Sequence, residues 1–225
     1  MHILILIIGI IIAFVGYFIG YIFDNISKNF ISLLLEITAG IMTSVVCFEM
    51  IPESISSGGI SISVLGLLFG AIFSMILDYI FKKNGIAIVT SMFIHNIIEG
   101  MAIGCGFFIS YYVGIALLIS TLVHDLPESM IVGIALRKER SKNKILKTLL
   151  IGSSTAIGSY CSFIIPHISN NIISFCIAFA GGCMLYIVSC DMLLESKSNT
   201  KNKFINFTFI IGIILGILIT SLEVN

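Results

Sequence analysis

The sequence predicts an all-α polytopic membrane protein, a single transmembrane domain over residues 1–225 with eight helices. Its composition, its apolar stretches and its charge distribution each support that fold class. Of the 225 residues, 58% are hydrophobic and 11% are charged, and the mean hydropathy is +1.13. Soluble domains carry about 25% charged residues, so the chain is too apolar for an ordinary water-soluble fold.

The apolar residues form stretches long enough to cross a bilayer. A hydrocarbon core about 30 Å thick requires about 20 apolar residues in a helix. Eight such stretches are separated by short polar breaks, and no break is long enough to hold a soluble domain. The predicted spans are about 3–23, 30–52, 60–81, 85–109, 111–136, 146–166, 171–194 and 204–222.

The twelve basic residues test this number of spans, because Lys and Arg in short loops mark the cytoplasmic side of a membrane. With eight spans, all of them fall in the loops that follow spans 1, 3, 5 and 7 or within two residues of those loops. They are Lys28; Lys82 and Lys83; Arg137, Lys138, Arg140, Lys142, Lys144 and Lys147; and Lys197, Lys201 and Lys203. We therefore expect a multi-pass protein of the cell (cytoplasmic) membrane with both termini extracytoplasmic. The formal net charge of zero indicates no nucleic-acid partner.

Two segments of the chain resemble each other without gaps. "AGIMTSVVCFEMIPES" at 39–54 aligns with "GGCMLYIVSCDMLLES" at 181–196, so that acidic residues coincide. The segments belong to spans 2 and 7, which cross the membrane in opposite directions. Such pairs are typical of secondary transporters whose substrate site lies at the repeat interface. The sequence therefore predicts inverted repeats, helices 1–3 and 6–8, around a helix 4/5 pair.

Spans 4 and 5 each contain a polar motif near the membrane centre, "HNIIEGMAIG" from residue 95 and "HDLPESMIVG" from residue 124. In each motif a Glu follows a His by four residues and shares its helix face. Buried carboxylates need a counter-charge, and the span centres contain no Lys or Arg. Imidazole and carboxylate ligands suit Zn²⁺, Fe²⁺ or Mn²⁺. The candidate metal ligands are His95, Asn96, Glu99, His124, Asp125 and Glu128.

Further acidic residues lie toward the ends of the repeated spans. Glu49 and Glu53 are near the outer end of span 2, and Asp191 and Glu195 are near the inner end of span 7. We expect them to line the entrance and exit of a transport pathway, with ordinary interfacial solvation as the alternative reading. Glu36 and Asp78, also near span ends, are interpreted as interfacial. The six cysteines are interpreted as small apolar residues with free thiols.

These features predict transport of a divalent metal ion and no enzyme activity. One alternative is a membrane-embedded metal-dependent hydrolase, since zinc beside carboxylates can activate water. Another is a receptor or scaffold with a structural metal. The sequence contains no HExxH motif, and acidic residues at both mouths of an inverted repeat serve transport rather than hydrolysis. Transport is therefore preferred, with no catalytic residue assigned.

The paired motifs resemble the helix 4 and helix 5 signatures of the ZIP (Zrt/Irt-like) divalent metal transporters, and the resemblance extends over nearly the whole chain. It implies a midplane site for one or two transported ions, with zinc as the expected substrate, Fe²⁺, Mn²⁺ or Cd²⁺ as other substrates, and no further cofactor. One ion would bind His95, Glu99, His124 and Glu128. A second would bind Asn96, Glu99, Asp125 and Glu128. The resemblance also implies uptake toward the cytoplasm, elevator-like or rocking motion, and a homodimer.

The sequence departs from the family pattern in two places. Some bacterial members have a helix 6 glutamate that completes the second metal position, where this chain offers Thr155. The second position is therefore expected to be weak or modulatory. The loop between spans 3 and 4, often long and His-rich in eukaryotic members, is only "KKN". The chain thus resembles a minimal prokaryotic form.

Overall fold

The structure is a computed structural model that describes residues 2–22, 27–81, 87–138, 143–163 and 169–221. Over these ranges the backbone forms eight helical rods and no strand, which confirms the all-α class. The rods are α1 (His2–Ile22), α2 (Lys28–Gly58), α3 (Ile60–Phe81), α4 (Ala87–Ile109), α5 (Tyr111–Lys138), α6 (Lys144–Phe163), α7 (Asn170–Asn199) and α8 (Lys203–Ser221). The largest differences from the predicted spans are the longer C-terminal ends of α2 and α7.

Six of these helices are long and apolar enough to cross a membrane, namely α2, α3, α4, α5, α7 and α8. In α1 the corresponding apolar helix is the shorter segment Ile7–Ile22. Helix α6 begins with Lys144 and Lys147 and is not among the six. The polytopic membrane class is therefore confirmed, while the crossing of all eight helices stays a prediction.

The helices pack as two bundles of four. In the first bundle, α1 packs along α5 and α6, and α4 also packs along α5 and α6. In the second bundle, α2 packs along α7 and α8, and α3 packs along α7. The bundles meet where α4 contacts α7 and where α2 contacts α5. The polar motifs of α4 and α5 therefore belong to one bundle and face the other.

Close helix contacts reveal the inverted repeat in three dimensions. At Gly70 in α3 a Cβ would collide with the carbonyl oxygen of Phe179 in α7, and at Gly212 in α8 it would collide with that of Ile37 in α2. Gly212 lies as many residues after Gly70 as Phe179 lies after Ile37. The same offset aligns segment 39–54 with segment 181–196. Equivalent backbones thus approach closely in both repeats, as small residues permit. The predicted repeat is confirmed.

The two repeats also share an irregular turn. A π-helical turn interrupts α2 at Val46–Met50 and α7 at Val188–Met192, which are equivalent positions. The N–H of Ile51 donates to the carbonyl of Val46, and that of Leu193 donates to the carbonyl of Val188. Single π turns inside α-helices often occur at functional sites. Each one here carries an acidic residue that the sequence places on the transport pathway.

Serine hydroxyls tie α2 to α7 at both ends of the second bundle. Ser174 Oγ donates to the carbonyl of Ser54 at 2.8 Å, and at the opposite end Ser32 Oγ donates to the carbonyl of Ser196 at 3.2 Å. Glu36 also accepts a hydrogen bond of 2.8 Å from Ser196 Oγ and is only 2% exposed. The interfacial interpretation of Glu36 is therefore wrong, because the extended end of α7 covers it.

The ends of three helices meet at one face of the first bundle. Arg137 Nη1 at the end of α5 donates to the carbonyl of Tyr21 at the end of α1, at 3.2 Å. Lys144 Nζ at the start of α6 donates to the carbonyl of Arg137, also at 3.2 Å. This grouping agrees with the predicted segregation of basic residues. Of that set, Lys82, Lys83, Arg140 and Lys142 lie outside the described residues.

Candidate metal centre

The two polar motifs reach the same depth because α4 and α5 are joined by a tight turn. The chain reverses at Ser110, whose N–H donates to the carbonyl of Gly106 at 3.0 Å and whose carbonyl accepts from the N–H of Gly114 at 3.1 Å. His95 lies fifteen residues before Ser110 and His124 lies fourteen after it. With an equal rise per residue in both helices, the two imidazoles come to the same level.

One carboxylate oxygen connects the two histidines. Glu99 Oε1 lies 3.1 Å from His95 Nε2 and 2.9 Å from His124 Nε2. The ligand atoms of these three residues all lie within 4.8 Å of one another, and all three side chains are buried. Because zinc bonds to nitrogen and oxygen are about 2.0–2.2 Å long, ligands of one ion stand roughly 3–4 Å apart. The cluster therefore has spacings close to those of a single-ion shell.

The other three predicted ligands are buried beside this cluster. Asn96 Nδ2 donates to the carbonyl of Ile151 in α6 at 3.4 Å, which ties the amide to the neighbouring helix. Asp125 Oδ1 lies 3.9 Å from His124 Nε2. Glu128 is buried and lies four residues after His124, on the same face of α5. The structure thus brings all six residues to one region, with three of them in direct contact.

Several oxygen atoms of this region have no hydrogen-bond donor within the part of the chain that the structure describes. They are Asn96 Oδ1, Glu99 Oε2, Asp125 Oδ1 and Glu128 Oε2. Buried polar atoms in folded proteins are satisfied in roughly 90% or more of cases, so a group of four such acceptors calls for an explanation. Oxygen acceptors next to imidazole nitrogens form a donor set that fits a divalent transition-metal ion.

The surroundings of the cluster differ between its two sides. Toward the Ser110 turn, a cavity of about 10 Å³ touches Glu99 and is otherwise lined almost entirely by apolar side chains. Toward the basic ends of the helices, a cavity of about 20 Å³ begins at His95 and is partly polar. Its lining side chains are Ser74, Leu77, Asp78, His95, Ile98, Cys183, Ile187 and Asp191. The polar path from the cluster therefore leads toward the basic end.

The four predicted pathway acids lie at different depths. Glu49, in the π turn of α2, is buried and accepts a hydrogen bond of 3.5 Å from Ser120 Oγ of α5. Asp191, in the π turn of α7, is half-buried and lines the cavity that begins at His95. Glu53 is half-buried and Glu195 is exposed. Glu49 and Asp191 thus lie inside the protein, whereas Glu195 lies at the protein surface.

Sequence reasoning missed the role of Asp78 as part of the site's surroundings. Its side chain lines the same cavity as Asp191 and accepts a hydrogen bond of 3.5 Å from Tyr186 Oη in α7. Because Asp78 lies near the end of its span, the sequence gives only a weak signal of this placement. The contact between α3 and α7 is what turns the carboxylate toward the cavity.

Thr155 of α6 is buried where α6 meets α4. Its carbonyl oxygen lies so close to Gly100 that a Cβ there would collide with it. Gly100 directly follows Glu99 in the chain. The backbone of the residue that the sequence singled out in span 6 therefore lies beside Gly100, the neighbour of Glu99 in the chain.

The fold and the cluster define a class of protein, a polytopic membrane protein with an inverted repeat and a buried His and carboxylate cluster at its centre. A family model described as ZIP zinc transporter matches residues 81–222, more than half of the chain. The chain therefore belongs to the ZIP zinc transporter family, whose members transport divalent metal ions. None of the curated proteins matches the chain.

Proposed function

We propose that this protein carries Zn²⁺ toward the cytoplasm, with Fe²⁺, Mn²⁺ and Cd²⁺ as further substrates, and that the cluster on α4 and α5 binds the ion in transit. The observation that carries the proposal is the sharing of Glu99 Oε1 between His95 Nε2 and His124 Nε2, at 3.1 and 2.9 Å. Three metal-binding side chains from two helices meet at one depth. Ionisable side chains are rare inside membrane-spanning helices and usually mark the pathway of an ion.

In this proposal the first ion binds His95, Glu99, His124 and Glu128. A second position is formed by Asn96 and Asp125 together with the two glutamates, which bridge both ions. The acceptor oxygens without donors support this assignment. Because Thr155 supplies a hydroxyl rather than a carboxylate, the second position is the weaker of the two and modulates the first. The ions are substrate, and no other cofactor is proposed.

Metal binding at this cluster displaces a proton. His124 Nε2 and Glu99 Oε1 share a proton across a hydrogen bond of 2.9 Å. A metal ion that binds both groups requires the imidazole nitrogen and the carboxylate in their deprotonated forms. The shared proton therefore leaves as the ion enters.

We propose that alternating access uses the two bundles. The apolar side of the cluster closes the outer route, and the cavity lined by Asp78 and Asp191 forms the inner route. We propose that the ion arrives past Glu49, binds on α4 and α5, and leaves past Asp191 and Asp78. Movement of the first bundle against the second exchanges the two routes, as inverted repeats commonly do.

We also propose that the protein resides in the cytoplasmic membrane as a homodimer with both termini outside. The meeting of Tyr21, Arg137 and Lys144 at one face supports a common cytoplasmic side for these helix ends. In a variant that lacks the six native cysteines, single cysteines placed at residue 27 and at the exposed residue 56 are labelled with an impermeant maleimide. Only the cysteine at 56 reacts from outside if the orientation is correct.

The transport proposal is tested with the purified protein in liposomes that enclose a zinc-sensitive dye. Wild type and Glu36→Gln, which changes a buried carboxylate outside the cluster, should both admit Zn²⁺. His95→Ala and Glu128→Ala should abolish the influx. Absence of influx for Zn²⁺, Fe²⁺, Mn²⁺ and Cd²⁺ in wild type that still binds metal would contradict transport. Full influx in both alanine variants would contradict the site.

A further inference from the structure

A buried cysteine lines the cavity that leads from the metal cluster toward the basic helix ends. Cys183 of α7 is 1% exposed, and its Sγ donates to the carbonyl of Gly70 in α3 at 3.2 Å. The two helices approach closely here, because a Cβ added at Gly70 would lie 3.0 Å from the backbone nitrogen of Cys183. The thiol is therefore held in the wall that α3 and α7 form together.

The polar side chains of this wall follow one face of each helix. Ser74 and Asp78 in α3 are four residues apart, and Cys183 and Asp191 in α7 are eight residues apart. Side chains at such spacings lie one above another along a helix. Asp191 is about two turns nearer than Cys183 to the end of α7 at Asn199. By the proposed orientation, an ion that leaves inward meets the thiol before it meets the Asp191 carboxylate.

The imidazole of His95 in α4 lines the same cavity. Its Nε2 lies 3.1 Å from Glu99 Oε1 in the cluster. Its Nδ1 has no hydrogen-bond partner among the residues that the structure describes, although His95 is only 4% exposed. Because buried polar atoms are normally satisfied, this nitrogen indicates a missing ligand. The cavity wall thus combines an imidazole from α4 with a thiol from α7.

The cavity has the size of a single ion. Its volume is about 20 Å³, whereas one water molecule needs roughly 10–15 Å³ of such space. An ion in so small a cavity contacts the side chains of its wall. These include the hydroxyl of Ser74, the imidazole of His95, the thiol of Cys183 and the carboxylates of Asp78 and Asp191.

We propose that Cys183 and His95 form a transfer site for thiophilic divalent ions, Zn²⁺ and Cd²⁺, between the cluster and the inner carboxylates. The proposal rests on the proposed function, since the transfer site receives the ion that the cluster releases. The metal–sulfur bond forms as the S–H bond breaks, and a carboxylate of Asp78 or Asp191 accepts the proton. Thiolate is a soft ligand, whereas Mn²⁺ prefers oxygen ligands. The transfer site therefore favours Zn²⁺ and Cd²⁺ over Mn²⁺ on the inner route.

Ultraviolet absorption tests the metal–sulfur bond without any transport. Cd²⁺ bound to a thiolate has a sulfur-to-metal charge-transfer band that imidazole and carboxylate ligands do not produce. The purified full-length protein is titrated with Cd²⁺. Wild type should show the band and Cys183→Ser should lose it, although a serine hydroxyl can still donate to the Gly70 carbonyl and preserve the fold. The control Cys161→Ala, at an exposed position, should keep the band.

Glu99→Gln distinguishes the transfer site from the cluster, because Glu99 does not line this cavity. The imidazole of His95 serves either the cluster or the transfer site. Weakening the cluster should therefore let the band appear at no higher Cd²⁺ concentration than in wild type. A band of equal size in wild type and Cys183→Ser, or no band in wild type, overturns the thiol ligand. A band that needs more Cd²⁺ in Glu99→Gln overturns a separate site.

Influx into liposomes tests the selectivity. Cys183→Ser should lower Cd²⁺ influx several-fold and leave Mn²⁺ influx unchanged, whereas Cys161→Ala should change neither. Equal loss for both ions, or loss for neither, overturns the selectivity. Absence of influx of both ions in wild type contradicts the proposed function instead, and the charge-transfer band then still decides whether Cys183 binds the metal.

Discussion

Replacing Glu99 by Gln removes one negative charge from the centre of the cluster and changes the shape of the side chain very little. Its Oε1 lies 3.1 Å from His95 Nε2 and 2.9 Å from His124 Nε2, and the side chain is 2% exposed. An amide oxygen binds a metal ion more weakly than a carboxylate does. The substitution therefore tests whether this shared carboxylate holds the ion.

The magnitude follows from the assigned role of Glu99 as a ligand. Mutating a residue that only orients a metal ligand costs about 10–100-fold in metal affinity, and replacing the ligand itself should cost no less. We therefore expect Zn²⁺ to bind Glu99→Gln at least roughly 100-fold more weakly than wild type, which corresponds to about 2.8 kcal/mol. The neutral side chain also leaves the two imidazoles without a common counter-charge.

The assay is isothermal titration of the purified protein with Zn²⁺. Glu36→Gln is the matched control, because Glu36 is also 2% exposed and its hydrogen bond from Ser196 needs only an acceptor oxygen. Its affinity for Zn²⁺ should equal that of wild type. Thermal unfolding without metal establishes that both variants fold. Wild-type affinity in Glu99→Gln, or an equal loss in both variants, would refute the reasoning.

Three further predictions concern stability and transport. Zn²⁺ at 100 times its Kd should stabilise wild type against thermal unfolding by about 2.7 kcal/mol and should not stabilise His124→Ala. Equal stabilisation of the two proteins would place the ion elsewhere. Gly212→Ala should lower the free energy of unfolding by about 1–3 kcal/mol, because the added Cβ would collide with the backbone carbonyl of Ile37. The control Ser61→Ala, at an exposed position, should change the free energy of unfolding little. Glu49→Gln should slow zinc influx without changing Zn²⁺ affinity, whereas Glu36→Gln should leave both the influx and the affinity unchanged. Equal influx in the two variants would remove Glu49 from the pathway.

The helices and the candidate cluster could be predicted because the bilayer restricts the sequence strongly. Each crossing helix needs a continuous apolar stretch, so span limits follow from composition. In the cluster, a spacing of four residues places His95 with Glu99 and His124 with Glu128 on common faces. The short connection at Ser110 then brings the two faces to one depth. All of these features depend on residues that are close together in the sequence, so they can be predicted without the three-dimensional structure.

The features that the sequence did not reveal depend on contacts between distant segments. Glu36 near a span end looks interfacial, and only the extension of α7 to Asn199 explains its burial. Asp78 joins the cavity because α7 packs along α3.

The π turns illustrate a further limit of sequence analysis. Their positions are equivalent in the two repeats, but the sequences VCFEM and VSCDM contain neither Gly nor Pro to mark an irregular helix. A π turn adds one residue to a helical turn and changes the register of everything that follows. The position of the extra residue depends on how both ends of the helix pack, and the composition of the segment does not indicate it.

The most direct test of the proposed metal site is anomalous diffraction at the zinc absorption edge from crystals of the zinc-loaded protein. We predict a peak between α4 and α5, about 2.0–2.2 Å from His95, Glu99 and His124. Crystals of Glu99→Gln at the same zinc concentration should show a much weaker peak. A peak bound elsewhere, with none at these three side chains in wild type, would contradict the account.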